Sequence, residues 1–416
     1  MTRPLTAAVH RIWRFLPREA RRRFFIRVTA LMAPSNGHAE VRLPAVVAGV
    51  LSSATGLGES ARMNVEGLRR AGLPYGVIDL SGSLLADADL PPFAAEGGAP
   101  VEGEGTLIIH TPGSTLPYAL LRCGKKLVQG KRLVGFWHWE LPALPDDWRY
   151  GCNHLDEIWV PSQFCADAVR RSFNGPIRII PHPVDVEQVR RQWRPSSVFT
   201  ALSIFNMASG FERKNPLAAI RAFKRAFGDD PGSRLIIKVV NPDHYPEGMQ
   251  SLRAEVGDAG NIELMVEVMP RREVMQLIAG ADVAISLHRS EGFGMLAAEA
   301  MLIGTPVIAT DWSATAEFIT PETGMPIPYR MIPAIDPQGC SHDPTQNWAD
   351  ADIGAAAAAL IRLRQDPEAA QAMALRARAK AQELFSLDRY VGLIREALQP
   401  EARESAELPR SRLQSA

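Results

Sequence analysis

Twice along the chain, short uninterrupted apolar runs alternate with stretches of helical period, and this pattern most narrows the folds open to it. The first set of runs covers 45–51, 75–80, 106–110, 132–137, 157–160 and 177–180, with helical patterns between them, notably 59–71 and 162–173. After a polar, Arg-rich connection near 190–197 the alternation restarts. Strands are predicted at 198–205, 235–240, 261–265, 282–287 and 305–310, and helices at 215–227, 271–279, 294–303, 352–364, 367–384 and 387–398. A strand that is apolar at every position is buried on both faces, so each set implies a parallel sheet covered by helices. Two Rossmann-like, doubly wound α/β units imply a cleft between them, and 416 residues suffice for two cores.

Composition excludes several classes. The 46 basic side chains balance 46 acidic ones, whereas a nucleic-acid binder carries a basic excess. Cys123, Cys152, Cys165 and Cys340 form no C-x2-C pair, which argues against a zinc site or a disulfide framework and for a reduced, cytoplasmic setting. No apolar stretch reaches the ~18 residues that span a bilayer, and charges interrupt every early apolar run, against a secretory signal.

Residues 1–33 depart from the balance. Arg3, Arg11, Arg14, Arg18, Arg21, Arg22, Arg23 and Arg27 face one acid, Glu19, among Ile12, Trp13, Phe15, Leu16, Phe24, Phe25, Ile26 and Leu31. A basic helix with an apolar side can lie on an anionic membrane surface, or it can pack that side on the protein body. Pro17 divides it into two pieces.

Chemistry concentrates in 281–311, ADVAISLHRSEGFGMLAAEAMLIGTPVIATD, which reads strand, loop, helix, turn, strand. Gly292 and Gly294 allow positive φ or close approach to a ligand, and the amides opening the next helix favour an anion. Glu299 falls two turns beyond Glu291 and would share its side of a helix begun there, placed to accept bonds from a diol such as ribose. Taken alone, the pair equally fits an ordinary βαβ unit with two surface acids. Upstream, NMASGFERKNPLAAIRAFKRAF at 206–227 puts Arg213 and Lys214 at a strand-to-helix corner, where open α/β sheets bind ligands. The helix dipole disfavours cations there, so either they neutralise a diphosphate or they are merely solvated.

Residues 281–311 resemble the E-x7-E signature of family 4 retaining glycosyltransferases, and ERKNP resembles that family's donor-phosphate region. GLGESAR at 56–62, FWHWELP at 136–142, DEIWVPSQF at 156–164 and IIPHPVD at 179–185 match in the same order, covering roughly 45–395. The resemblance implies a GT-B fold with the active site in the cleft. Its expected division is a basic amphipathic segment (1–38), an acceptor domain (39–195), a donor domain (196–385), a last helix returning to the first domain (386–400) and a disordered tail (401–416).

Carried over by position, Glu299 would bind the donor ribose and Glu291 would sit by the donor sugar. The amides of Phe293, Gly294, Met295 and Leu296, beside Gly292, would line its phosphates and hydroxyls. Lys214 matches the diphosphate lysine. The family's partner arginine lies several residues earlier, where this chain has Met207, Ala208, Ser209 and Gly210, leaving Arg213 as the substitute. Gly58 and Glu59 would face donor phosphates and acceptor, His138 the donor sugar, and Trp139 and Glu140 the acceptor. His138, Glu291 and Lys214 are the catalytic candidates. Local readings compete: Ser60 or Glu59 could simply cap a helix, and His138, His110 and His182 could be packed structural residues.

No metal is expected, since neither Asp87-Ala88-Asp89 nor Asp350-Ala351-Asp352 follows an apolar strand at a sheet's carboxyl end. The implied reaction is retaining transfer of a hexose such as mannose from a nucleotide-diphosphate sugar, the only co-substrate, to a glycan or lipid-linked glycan, as in cell-surface polysaccharide synthesis. The setting would be cytoplasmic, peripheral to the membrane's inner face. Rival readings are a sugar-nucleotide epimerase, a phosphorylase, a non-catalytic nucleotide-sugar-binding protein and, on GLGES alone, an NAD oxidoreductase.

Overall fold

A computed structural model describes residues 17–35, 43–53, 55–84, 91, 93, 100, 102–193 and 197–399; the expectations for 1–16, Asp87-Ala88-Asp89 and 401–416 fall outside them. The first sheet contains β1 (Ala45–Gly49), β2 (Tyr75–Asp79), β3 (Gly105–His110), β4 (Lys131–Phe136), β5 (Glu157–Val160) and β6 (Ile177–Ile179), in the order β2-β1-β3-β4-β5-β6. The second contains β7 (Phe199–Asn206), β8 (Ser233–Val240), β9 (Ile262–Met265), β10 (Val283–Ser286), β11 (Val307–Thr310) and β12 (Met325–Ile327), in the order β12-β11-β10-β7-β8-β9. Within both sheets the pairing is parallel. Strand order reverses between β1 and β3 in one sheet and between β7 and β10 in the other. Crevices that bind ligands open at such switch points, beyond the strands' carboxyl ends.

The apolar runs do divide between two faces. Val46 and Ala48 of β1 pack toward the helices Leu116–Cys123 and Gln163–Arg170, while Ala45 and Val47 pack toward the helix Gly56–Arg70. On that second face the helix Leu387–Leu398 completes the core with Tyr390, Ile394, Ala397 and Leu398. Tyr390 lies so close that a Cβ on Gly67 would meet its ring at 2.5 Å, and its hydroxyl accepts a bond from Asn64 Nδ2 at 3.0 Å. Val184 and Val186 already belong to the second sheet's core, so the chain changes lobes before Val184 rather than in the Arg-rich stretch. Arg191, in that stretch, is not a solvated linker residue: it pairs with Asp282 at 2.6 Å.

Two features depart from the predicted pattern. An antiparallel hairpin follows β12, with β13 (Tyr329–Ala334) paired to β14 (Asp343–Ala351). It reaches the first lobe, where Gln346 bonds Ala143 through both N–H (2.7 Å) and C=O (3.1 Å), and Leu141 packs with Ala334 and Trp348. The helices Leu116–Cys123 and Pro246–Val256 also lie outside the predicted set, each with proline in its first turn, where the missing N–H costs nothing. The helix Arg18–Met32 begins directly after Pro17, at the break the sequence predicts. It buries Ile26 and Thr29 against the first lobe, sets Phe25 5.3 Å from Tyr118 and leaves Leu31 87% exposed.

Candidate active site

The second lobe's switch point assembles the site. Beyond β7 the backbone turns through Gly210 (φ 91°) into the short helix Phe211–Lys214 and leaves it at Asn215, whose left-handed φ of 49° opens the helix Pro216–Phe227. Beyond β10 runs the loop 287–294, which ends at Gly294 (φ 93°) before the helix Met295–Ile303. A Cβ on Gly294 would sit 2.4 Å from Thr315 Cγ2. No side chain caps that helix, so its first N–H groups remain available to an anion.

Glu291 lies in the loop, not on the helix, so the expectation that it shares a helical side with Glu299 is corrected: the helix starts four residues later. Lys214 Nζ donates to Glu291 Oε1, and Arg213 Nη1 lies 3.5 Å from Oε2. Burial would raise the Glu291 carboxyl, but Lys214 and Arg213 outweigh it and hold it at about 2. The loop is fixed from behind, since Glu291 N–H donates to Ser313 Oγ at 2.9 Å and His288 Nε2 meets Thr315 Oγ1 at 2.9 Å. Burial lowers His288 to about 4, so it serves as a neutral brace.

Arg213 is not an open phosphate ligand. Only 4% exposed, it donates to Ser290 O (2.8 Å) and Ser209 O (2.7 Å) and approaches Glu140 at 3.9 Å. Its guanidinium ties the two switch-point loops together, and Lys214 is the more accessible cation. Glu140, expected at the acceptor, therefore also faces the second lobe.

Glu299 is buried separately. Arg271 Nη2 reaches its Oε1 at 3.1 Å and also donates to Asp185 O at 2.7 Å. Burial raises the Glu299 carboxyl to about 7; Arg271 offsets this only partly and the charge of Glu59 adds to it. Glu59 thus lies across the cleft from Glu299, paired with Arg62 at 2.7 Å. GLGE does not precede a helix but forms its first turn: Thr55 caps it, accepting from Gly58 N–H at 3.3 Å, so neither Ser60 nor Glu59 is the cap. Gly58 is required by space, because a Cβ would meet Ser53 O at 2.4 Å.

The first lobe contributes rings. Phe136, the last residue of β4, stacks with His110, His138 and His182 at 4.9, 5.5 and 5.4 Å. His138 is half-buried, and burial lowers it to about 4. Phe293 packs its ring against His182 (5.3 Å) and Phe385 (5.3 Å), so its side chain anchors the donor loop. Trp139 donates its indole N–H to Ala143 O at 2.7 Å and packs on Trp148.

The lobes meet at Gly292, where a Cβ would lie 3.1 Å from Trp139 O and whose carbonyl accepts from Ser162 Oγ at 2.8 Å. Glu317 of the second lobe accepts from the N–H groups of Gln163 (3.0 Å) and Phe164 (2.8 Å), at the start of a first-lobe helix. Ser162, Arg271 and Glu317 are contacts the motifs did not single out. Of the two Asp-x-Asp patterns, Asp350 sits in β14 within 3.3 Å of both Arg289 and Arg330, and Asp352 caps the helix Ile353–Gln365. Among the described residues, no helix is long and apolar enough to cross a membrane.

Residues 164–391 match the model of a family described as family 4 glycosyltransferases in conflict systems. A D-inositol 3-phosphate glycosyltransferase of Nocardia farcinica is 31% identical over 103 residues, 24% of this chain and 23% of that relative, so the match spans about a quarter of the curated protein. Among solved structures, the sucrose-phosphate synthase of Thermosynechococcus elongatus superposes with a TM-score of 0.64 at 17% identity, covering 88% of this chain and 100% of that one. Anabaena HepE in complex with UDP-glucose gives 0.62 at 15%, covering 86% and 99%. These likenesses extend over both lobes and show the two-Rossmann-domain fold.

Proposed function

The chain belongs to the family 4 glycosyltransferases in conflict systems, and from that membership we propose that it is a retaining enzyme moving a hexose from a nucleotide-diphosphate sugar to an acceptor hydroxyl. The observation that carries this reading is the meeting of Lys214, Glu291 and an uncapped helix start at the second sheet's switch point. As the bond between anomeric carbon and diphosphate breaks, negative charge collects on the leaving group and the sugar gains oxocarbenium character. Lys214 and the amides from Phe293 to Leu296 stabilise the first; the ionised Glu291 faces the second. Glu299 takes the ribose hydroxyls and His138 reaches the sugar from the opposite lobe. Glu291 and Glu299 are each tied to cations rather than arranged as nucleophile and acid. We therefore favour attack on the face the leaving group departs from, with its phosphate taking the acceptor's proton.

Uridine is the first base to test, because HepE was solved with UDP-glucose; glucose and mannose are the first sugars. A glycan, a lipid-linked glycan or, from the partial inositol-phosphate match, a polyol phosphate would accept. The proposed reaction calls on no divalent metal, since Lys214 and the amides at the helix start take the leaving group's charge. Leu31 and Phe24, exposed beside Arg23 and Arg27, would rest on an anionic membrane at the cytoplasmic face.

The test is a thermal-shift screen of UDP, GDP, UDP-glucose and GDP-mannose, followed by NMR of the product made from the stabilising donor. A ligand at a hundred times its Kd adds about 2.7 kcal/mol to the folded state. Retained anomeric configuration in a new glycoside is expected. An inverted product, an epimerised nucleotide sugar, or binding without transfer to any acceptor class overturns the proposal.

A further inference from the structure

We infer that His182 is a positioning residue for His138, fixing which ring nitrogen of His138 carries its proton; the inference rests on the role proposed for His138 at the donor sugar. Nε2 of His138 and Nε2 of His182 are in hydrogen-bond contact. Their rings are tilted by only 13° with centroids 4.8 Å apart, the arrangement of two nearly coplanar imidazoles joined edge to edge. A neutral imidazole has one N–H and one bare nitrogen. Only one proton fits between the facing atoms, so the two rings must be opposite tautomers: one protonated at Nε2, the other at Nδ1.

The surroundings hold that arrangement. Both rings lie over Phe136, which His110 also stacks upon, and His110 Nδ1 is bonded to Ser60 Oγ at 2.9 Å. Pro181 and Pro183 flank His182 and restrict its backbone, and Phe293 of the donor loop packs edge-on to its ring at 5.3 Å. Burial lowers His138, His182 and His110 alike, which keeps the pair neutral and its single proton shared. Nδ1 of His138 and Nδ1 of His182 are both buried without a partner. One is therefore a buried donor and the other a buried acceptor, a defined polarity that free imidazoles lack. With Nε2 taken by His182, Nδ1 is the nitrogen of His138 left for a sugar hydroxyl once the bound donor reaches it, and the residue that sets its protonation sits in the segment joining the two lobes.

The test uses the full chain with 15N-labelled histidine, at pH 7 and without ligand. In the wild type, His138 and His182 should each show one neutral tautomer, and the two should be opposite. In His182→Ala, His138 should become a mixture. In His182→Gln, whose terminal amide replaces Nε2, the single tautomer should persist; in His182→Asn, which replaces Nδ1 instead, it should not. If His182→Ala unfolds, as thermal unfolding would reveal, the Gln and Asn variants carry the comparison. Identical tautomers in the wild type, or an unchanged single tautomer of His138 in His182→Ala or His182→Asn, overturn the inference.

Turnover separates this inference from the reading beneath it. With whichever of UDP-glucose and GDP-mannose stabilises the wild type, His182→Ala should lower kcat for donor hydrolysis by about a hundredfold, the scale of a misoriented catalytic contact. KM should change little, and His182→Gln should restore most of the rate. Undiminished turnover in His138→Ala removes the role of His138 itself. A slow His138→Ala beside a fully active His182→Ala removes only the role of His182.

Discussion

Lys214 and Glu291, 77 positions apart in the chain, form an ion pair between the loops that leave β7 and β10. Each charge neutralises the other, and a diphosphate would have to exchange with the Glu291 carboxylate for Lys214. Breaking a buried pair from one side costs far more than removing both partners, because one charge is left uncompensated.

Because Arg213 still faces the Glu291 carboxylate, Lys214→Met should lower the unfolding free energy by less than the loss of an isolated buried pair, about 2 kcal/mol. Lys214→Met combined with Glu291→Gln should recover most of that loss. Neither variant should bind UDP. Urea denaturation and calorimetry read the two effects; a double variant as unstable as the single one would show that the pair is not the source.

Donor affinity should rise with pH around neutrality. Burial pushes the Glu299 carboxyl up to about 7, and accepting two hydroxyls from a ribose favours its ionised form. Ionisation must then precede binding below that pH, so the Kd for UDP should be about tenfold weaker at pH 6 than at pH 8. Glu299→Gln should bind weakly at both values and lose the slope. A wild-type Kd independent of pH would be inconsistent with this role.

The Glu317 carboxylate caps the first turn of Gln163–Arg170 from the other lobe, an interaction with unsatisfied helix amides worth about 1 kcal/mol. Glu317→Ala should shift the lobes toward an open arrangement, seen as a larger radius of gyration in small-angle scattering. The donor lobe's own groups should be unaffected, so UDP should still bind. A scattering profile identical to the wild type's would mean that Ser162, Gln346 and the Trp348 cluster hold the lobes closed unaided.

Replacing Arg22, Arg23 and Arg27 with glutamine should reduce sedimentation with phosphatidylserine vesicles, and raising the salt should do the same to the wild type. Each basic residue near such a surface contributes about 1 kcal/mol. Donor hydrolysis in solution should persist, because the helix Arg18–Met32 is packed away from the switch point, on the helices Leu116–Cys123 and Arg149–Cys152. Equal sedimentation of variant and wild type would limit this helix to packing.

The strands were legible because both faces of each sheet are buried, which makes 45–49, 105–110 or 283–286 apolar at nearly every position. The hairpin was not: β14 reads DPTQNWADA, without alternation, and its pairing is local to β13. At the site, Glu291 and Glu299 were found through their spacing about a glycine turn, and Lys214 through its place at a strand-to-helix corner. Their partners were hidden, because Arg271 and Glu317 lie in no pattern and meet the site only through the fold. The sequence also suggested two exposed cations at the helix corner, whereas burial turned Arg213 into a tie between loops.

Tyr390 fills the hollow left by Gly67, so the helix Leu387–Leu398 completes the core of a lobe whose strands all precede the crossover. The ribosome must deliver the chain through Leu398 before that lobe can close, whatever its local preferences. A chimera that exchanged everything after the crossover would carry a foreign plug into that lobe. A donor lobe can be transplanted intact only by two junctions, one before Val184 and one between Phe385 and Leu387, leaving the last helix with its native socket.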